Sequence, residues 1–249
     1  MSNITMYSLQ LMGNEMNHKI LNKLEQLIHV SPQLLRQPNT LRHAIQSTFD
    51  IELDQIEYSH MGELVDQIDD KVLDNYFRNH WQAEMKKYKY SGLKLIDEVN
   101  SLNPRRVLDI GCGYHEFKGK IHNLVGIDPY NNAADIHVKL LDYNPDEKYD
   151  ATLALGSINF GSTDKVFAEL EHAVSLCNPG AVMFFRVNPG LPHDEADRPV
   201  GSKNHSNWIY FYPWDANFIV NCAEQLNVDI LDIKKDSHRG RIYFVWRTK

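Results

Sequence analysis

The chain has 249 residues, 43% of them hydrophobic, and a formal charge of −7. That length suggests about one to two domains, and the composition supports an apolar core without disulfides or metals and excludes a disordered chain. Apolar runs stay short of the roughly 18 residues a spanning helix needs, and bases occur at most in pairs rather than in the stripe that holds nucleic-acid phosphates, so neither a membrane span nor a nucleic-acid partner is expected.

Cys112, Cys177 and Cys222 are odd in number, widely spaced and form no CxxC pair, which argues against a disulfide framework or a cysteine-rich zinc site and points to a reducing cytoplasm. Met1-Ser2-Asn3-Ile4 lacks the basic lead-in of a secretory signal. The first part of the chain, 1–85, reads as a helical extension. Met16, Ile20, Leu24, Leu27 and Ile28 fall on one helical face. Ser31-Pro32 offers a cap and first-turn proline, and Thr40 can cap a short helix with Leu41, Ile45 and Phe49. The type of 50–58 is ambiguous. Leu64, Ile68, Val72, Phe77, Trp81, Met85 and Tyr88 recur at helical intervals over 61–88. The histidines there are scattered without metal-binding spacing. This extension suits a substrate lid, an oligomer contact or a partner-binding surface equally well.

From about 92 the pattern alternates. A helix ends near Leu102. Arg106-Val-Leu-Asp-Ile110 reads as a buried strand followed by Gly111-Cys-Gly113. Leu124-Val-Gly-Ile127 is a second strand ending at Asp128, and His137-Val-Lys-Leu-Leu141 a third ending at Asp142. Ala151–Leu155 is a fourth, and a helix carrying Val166, Leu170 and Val174 follows. Asn178-Pro-Gly180 stops that helix, and Ala181–Val187 is a fifth strand. A helix over about 215–226 and strands at Asp229–Ile233 and Ile242–Trp246 close the chain. Such alternation implies a mostly parallel sheet with helices on both faces, and ligands bound beyond the carboxyl ends of its strands. A glycine turn after the first strand lets backbone approach a ligand, and an acid ending the second can accept from ribose hydroxyls.

Val107-Leu-Asp-Ile-Gly-Cys-Gly113 resembles the first motif of class I S-adenosylmethionine-dependent methyltransferases, and the resemblance covers 86–249. It implies a Rossmann-like, mostly parallel sheet of seven strands, with S-adenosylmethionine as cofactor and S-adenosylhomocysteine as product. Asp109 would orient the glycine loop and the cofactor's amino group. Gly111, Cys112 and Gly113 would let the loop lie against the methionine part. Gly126-Ile-Asp128 looks like the ribose-binding acid, and Asp142 and Tyr143 would frame the adenine. Leu155 and Gly156 would offer backbone near the amino group and sulfonium. One departure is His115, where the family often has a third glycine; its side chain can point outward or crowd the methionine end.

The fold does not dictate catalytic residues, because methyl transfer chiefly requires nucleophile and methyl held in line. Leu155-Gly-Ser-Ile-Asn-Phe160 lacks the Pro-Pro-aromatic motif of enzymes methylating exocyclic base amines. None of the cysteines follows a proline, as the nucleophile of cytosine-carbon methyltransferases does, and no acids suited to a catechol-type metal follow the fourth strand. No metal site is expected. The acceptor is read as a small molecule, next a protein side chain, and last a nucleic acid, which the acidic charge disfavours. The segment 186–214 should face it, with His193 and His205 as candidate bases and Trp208 and Tyr210 as candidate pocket walls. The wording of the core also resembles uncharacterised methyltransferases of tailed bacteriophages, which would place the protein in the cytoplasm of an infected cell. The rival reading is a binding or structural protein that keeps the fold and has lost turnover.

Overall fold

A β-strand buried on both faces must be apolar almost throughout, and Val107–Ile110 meets that demand apart from Asp109. It is the first strand, β1, of a six-stranded sheet in the structure, a computed structural model. The structure describes 92–189, 212–235 and 240–249, with Asp70, Leu73, Asp74 and 76–78. Two compact units divide the chain, Met1–Asn79 with Asp194–Tyr210 and His80–His193 with Phe211–Lys249. In the first, the described residues are helical, as expected within 61–88, and Arg78 pairs with Asp74 one turn away. The earlier helices and the residues His193, His205, Trp208 and Tyr210 lie outside the described residues.

The second unit carries the sheet. The strands after β1 are β2 (Leu124–Ile127), β3 (Tyr149–Leu155), β4 (Cys177–Val187), β5 (Val228–Lys235) and β6 (Ile242–Thr248). Their spatial order is β2-β1-β3-β4-β6-β5. The β1–β2, β1–β3 and β3–β4 pairs are parallel, while β6 runs antiparallel to both β4 and β5. The parallel strands therefore end on one edge, at Ile110, Ile127, Leu155 and Val187.

The sheet corrects one expectation. Seven strands were expected, and the described residues form six. The missing one is 137–141, which shrinks to a single parallel bridge between Ile127 and Ile136. Asp135 and Ile136 both donate to the Gly126 carbonyl, and Asp128 donates back to Ile136. The chain then leaves the edge, and Leu140–Asp142 turn into one 3-10 coil. The first crossover is also irregular. Hydrogen-bonded turns, not a helix, fill 111–120, and they bury Phe117 and Ile121.

The apolar residues alternate between two faces, as the strand period of two requires. Val107, Leu153, Val182 and Phe184 pack with Leu95 and Val99 of helix α1 (Leu95–Ser101). Leu108, Ile110, Ala154, Met183, Phe185 and Phe244 pack beneath helices α2 (Thr163–Ser175) and α3 (Ala216–Gln225). Ser162 caps α2 through the Lys165 amide and Asp215 caps α3 through the Phe218 amide, each satisfying a donor that has no partner within its helix. Phe185 stacks on Phe244 at 4.5 Å. Trp246 and Trp214 close round this pair with the Phe244 ring between them.

Candidate functional site

The turn after β1 crosses to the end of β2. Gly111 and Cys112 both donate backbone N–H groups to the Ile127 carbonyl, at 2.8 and 3.1 Å. Gly113 donates to Asp128 Oδ2 at 2.9 Å. The other carboxylate oxygen of Asp128 accepts from the amides of Tyr130 and Asn131 at 2.8 and 2.9 Å. Asp128 is thus the clasp between the glycine turn and the next one, and it is buried. A carboxylate has about four lone-pair directions, so three backbone donors leave room for one more.

Gly111 and Gly113 hold φ of +67° and +56°, in the left-handed region that glycine enters without steric cost. His115 holds +55°. The backbone that a third glycine would serve is therefore retained, and a histidine bears the strain. Its ring does not point outward. It lies buried against Gly126, where an added Cβ would come within 2.5 Å of its Cε1. Nε2 and Asp135 Oδ2 are 2.7 Å apart. Asp135 also accepts from Lys118 and from the Gly126 amide. Burial pushes the Asp135 carboxyl up, but those hydrogen bonds outweigh it and hold it well below the usual carboxylate range.

Asp109 is the second buried acid on this edge. Burial, then the charge of Asp128, raise it to about 7, against the opposing pull of Arg186. The Cys112 thiol is pushed up by burial and by Asp109, Asp128 and Asp135, which disfavours its thiolate. Asp142 is exposed at the turn that replaces the third strand. Tyr143 turns its ring into the core, with its hydroxyl 2.5 Å from that of Tyr149 and its carbonyl 2.9 Å from His172 Nε2. What it offers at the edge is backbone.

Across the edge, β3 ends at Leu155. Its carbonyl accepts a hydrogen bond from the Arg186 guanidinium. Gly156, at φ +108°, leaves the space that this guanidinium fills. A Cβ at Gly111 would lie 2.4 Å from Ser157 Cβ, so the two turns touch, and the buried Ser157 Oγ has no hydrogen-bond partner. Buried Asn159 accepts the Asn188 amide on Oδ1 at 3.0 Å, and its own carbonyl accepts the Tyr212 amide at 2.8 Å. Tyr212 and Trp214 are core residues packed on Phe218. No cluster of metal-binding side chains occurs among the described residues. No helix among them is long and apolar enough to cross a membrane.

The structure therefore brings Asp109, Gly111, Cys112, Gly113, Asp128, Leu155 and Gly156 to one edge and leaves Asp142 at its rim. Sequence reasoning missed Asp135, Arg186 and Asn159. Arg186 was visible as the lone cation in the apolar run 181–187, and Asn159 as an amide between Ile158 and Phe160.

No family model matches the chain, and no characterised protein matches it in sequence. Solved structures do match the fold. The 1,6-didemethyltoxoflavin-N1-methyltransferase of Burkholderia thailandensis, solved with 1,6-didemethyltoxoflavin and S-adenosylhomocysteine, shares 13% identity over 75% of this chain and 89% of its own, at TM-score 0.54. Magnesium protoporphyrin IX methyltransferase from Synechocystis PCC 6803, with S-adenosylhomocysteine, shares 13% over 73% and 100%, at 0.52. The N-methyltransferase NodS from Bradyrhizobium japonicum WM9, also with S-adenosylhomocysteine, shares 12% over 72% and 97%, at 0.51. The mixed sheet with its antiparallel end matches the class I methyltransferase fold.

Proposed function

We propose that this chain is an S-adenosylmethionine-dependent methyltransferase whose acceptor is a small molecule, with a protein side chain the next choice. The observation that carries the reading is the pair of buried acids, Asp109 and Asp128, beside a glycine turn at the ends of parallel strands. Three backbone amides offset the burial of Asp128, whereas Asp109 carries a burial cost that a ligand cation would relieve. Two of the structural neighbours are named for small acceptors, 1,6-didemethyltoxoflavin and magnesium protoporphyrin IX.

The residues fit such a cofactor in kind. Asp128 keeps one acceptor direction for a ribose hydroxyl. Asp142, being exposed, can accept from an adenine amino group. Asp109 favours a cationic ligand, which would draw off its proton. Ser157 Oγ, still without a partner, can bond a ligand at the turn. When bound, S-adenosylmethionine supplies a methyl group on a sulfonium. The chain's task is to hold the acceptor in line with it and keep water out. His193 or His205 would take a proton if the acceptor must lose one. Three free thiols suit a reducing cytoplasm, that of an infected cell if the phage resemblance holds.

A second reading, a silent fold, is favoured by one contact: Arg186 already occupies the Leu155 carbonyl. Calorimetry with S-adenosylmethionine and S-adenosylhomocysteine tests both readings, with Asp128→Ala and Asp142→Ala alongside. Saturable binding of both ligands, lost in Asp128→Ala and weakened in Asp142→Ala, is expected. Transfer of labelled methyl to an acceptor panel then separates turnover from binding. Absence of binding at millimolar ligand would sink the enzyme reading.

A further inference from the structure

Arg186 is a half-buried cation near the end of β4, on this edge. It pairs across the sheet with Leu155, so both lie at the ends of adjacent parallel strands. Its guanidinium donates to the Leu155 carbonyl. The same group lies over Gly156, where an added Cβ would come within 2.9 Å of Nη2. Asp109, buried on β1, shares its face of the sheet and interacts with its charge. A ligand ammonium reaching this corner would seek the same two groups, a carbonyl acceptor and a carboxylate. It would meet a like charge already there.

We propose that Arg186 is a built-in stand-in for a ligand cation: its guanidinium fills the corner between Leu155, Gly156 and Asp109, and an adenosine ligand that brings an ammonium there must displace it to bind. The inference rests on the cofactor reading above. It assigns Arg186 the role of a specificity-determining residue that weakens ligands bringing an ammonium to this corner while leaving adenosine ligands without one untouched. Guanidinium is suited to this, being always charged and planar enough to lie flat over a glycine. Displacement is open to it because a long side chain can swing outward on its stem.

The test compares wild type with Arg186→Met, which keeps an unbranched apolar stem and removes the charge and donors. Three probes are titrated by calorimetry: S-adenosylmethionine, S-adenosylhomocysteine and 5′-methylthioadenosine, which lacks the amino-acid part. The variant should bind S-adenosylmethionine at least tenfold tighter and 5′-methylthioadenosine unchanged within about twofold. Tenfold weaker S-adenosylmethionine binding with 5′-methylthioadenosine unchanged would make Arg186 a carboxylate anchor and overturn the proposal. Equal shifts for all three probes would overturn it too. A wild type that binds only 5′-methylthioadenosine, beside a variant that binds all three, supports it. If neither protein binds any probe, the cofactor reading fails first and takes this one with it. Should Arg186→Met not fold, 15N-arginine spectra of the wild type decide, with Arg186→Lys used for assignment. The Arg186 Nη2–H signal should lose its protection from exchange on adding S-adenosylmethionine but keep it with 5′-methylthioadenosine; protection kept with both refutes displacement.

Discussion

Replacing Asp128 by Asn tests whether this acid is first a clasp and only then a ligand group. The carboxylate takes three backbone amides, from Gly113 on one oxygen and from Tyr130 and Asn131 on the other. An amide side chain has one carbonyl oxygen. If that oxygen stays with Tyr130 and Asn131, the new NH2 faces the Gly113 N–H, donor against donor. If it flips, two bonds are lost. The milder outcome removes one hydrogen bond to a charged group, about 1.5–3 kcal/mol. For a chain of this size each kcal/mol moves the midpoint by about 2–4 °C, so thermal unfolding should fall by roughly 3–12 °C. Calorimetric or circular-dichroism melts of ligand-free protein read this directly. A midpoint within about 1 °C of wild type would refute the clasp. The same loss would show that weaker cofactor binding by any Asp128 variant mixes two effects, which is why Asp142→Ala belongs beside it.

Asp109, raised to about 7 by burial and by Asp128, keeps a proton in the folded state that the unfolded chain releases near 3.8. Its contribution to stability is therefore complete below about pH 4 and disappears as pH rises to about 7. The wild type minus Asp109→Asn difference in urea stability should fall across that window by up to about 1.4 kcal/mol per pH unit, and parallel curves would count against a buried, protonated Asp109. His115→Gly relieves a left-handed backbone costing about 1–2 kcal/mol but deletes a bond to Asp135 of about 1.5–3 kcal/mol and a buried ring, so we expect net destabilisation of about 1–2 kcal/mol; a stabilised variant would show that the ring does not hold the turn. Burial pushes the Cys177 and Cys222 thiols up to about 12 and about 11, and Cys112 is raised as well, so a disulfide reagent at pH 8 should titrate none of the three in native protein and all three in urea. One fast-reacting thiol in the native protein would contradict that.

The strands that could be read from sequence are those whose residues are apolar because both faces are covered. Val107–Ile110, Leu124–Ile127 and Ala181–Val187 lie where continuous runs placed them, and the acids ending the runs sit on the shared edge. His137–Leu141 has the same local character but loses its partner. Asp135 is taken by His115, Lys118 and the Gly126 amide, and pairing stops at Ile136. That competition is between residues 20 apart and leaves no periodic trace. Tyr143 was misleading for a similar reason. Its position after Asp142 suggested a ligand wall, whereas Tyr149, six residues on, draws its hydroxyl into the core. Arg186 shows the limit of motif reading. Its strand was evident, but its meaning depends on Gly156 having no side chain and on which strand lies alongside.

Asn159 has a consequence for how this protein can diversify. One buried amide residue grips Asn188 through its side chain and Tyr212 through its backbone. The chain thus departs from and returns to the sheet domain at a single fastening. A change in the chain joining those two points leaves this fastening itself untouched. Neither β4 nor α3 need move. The segment expected to choose the acceptor is in this sense a cartridge, its two attachment points held by one residue of the sheet domain.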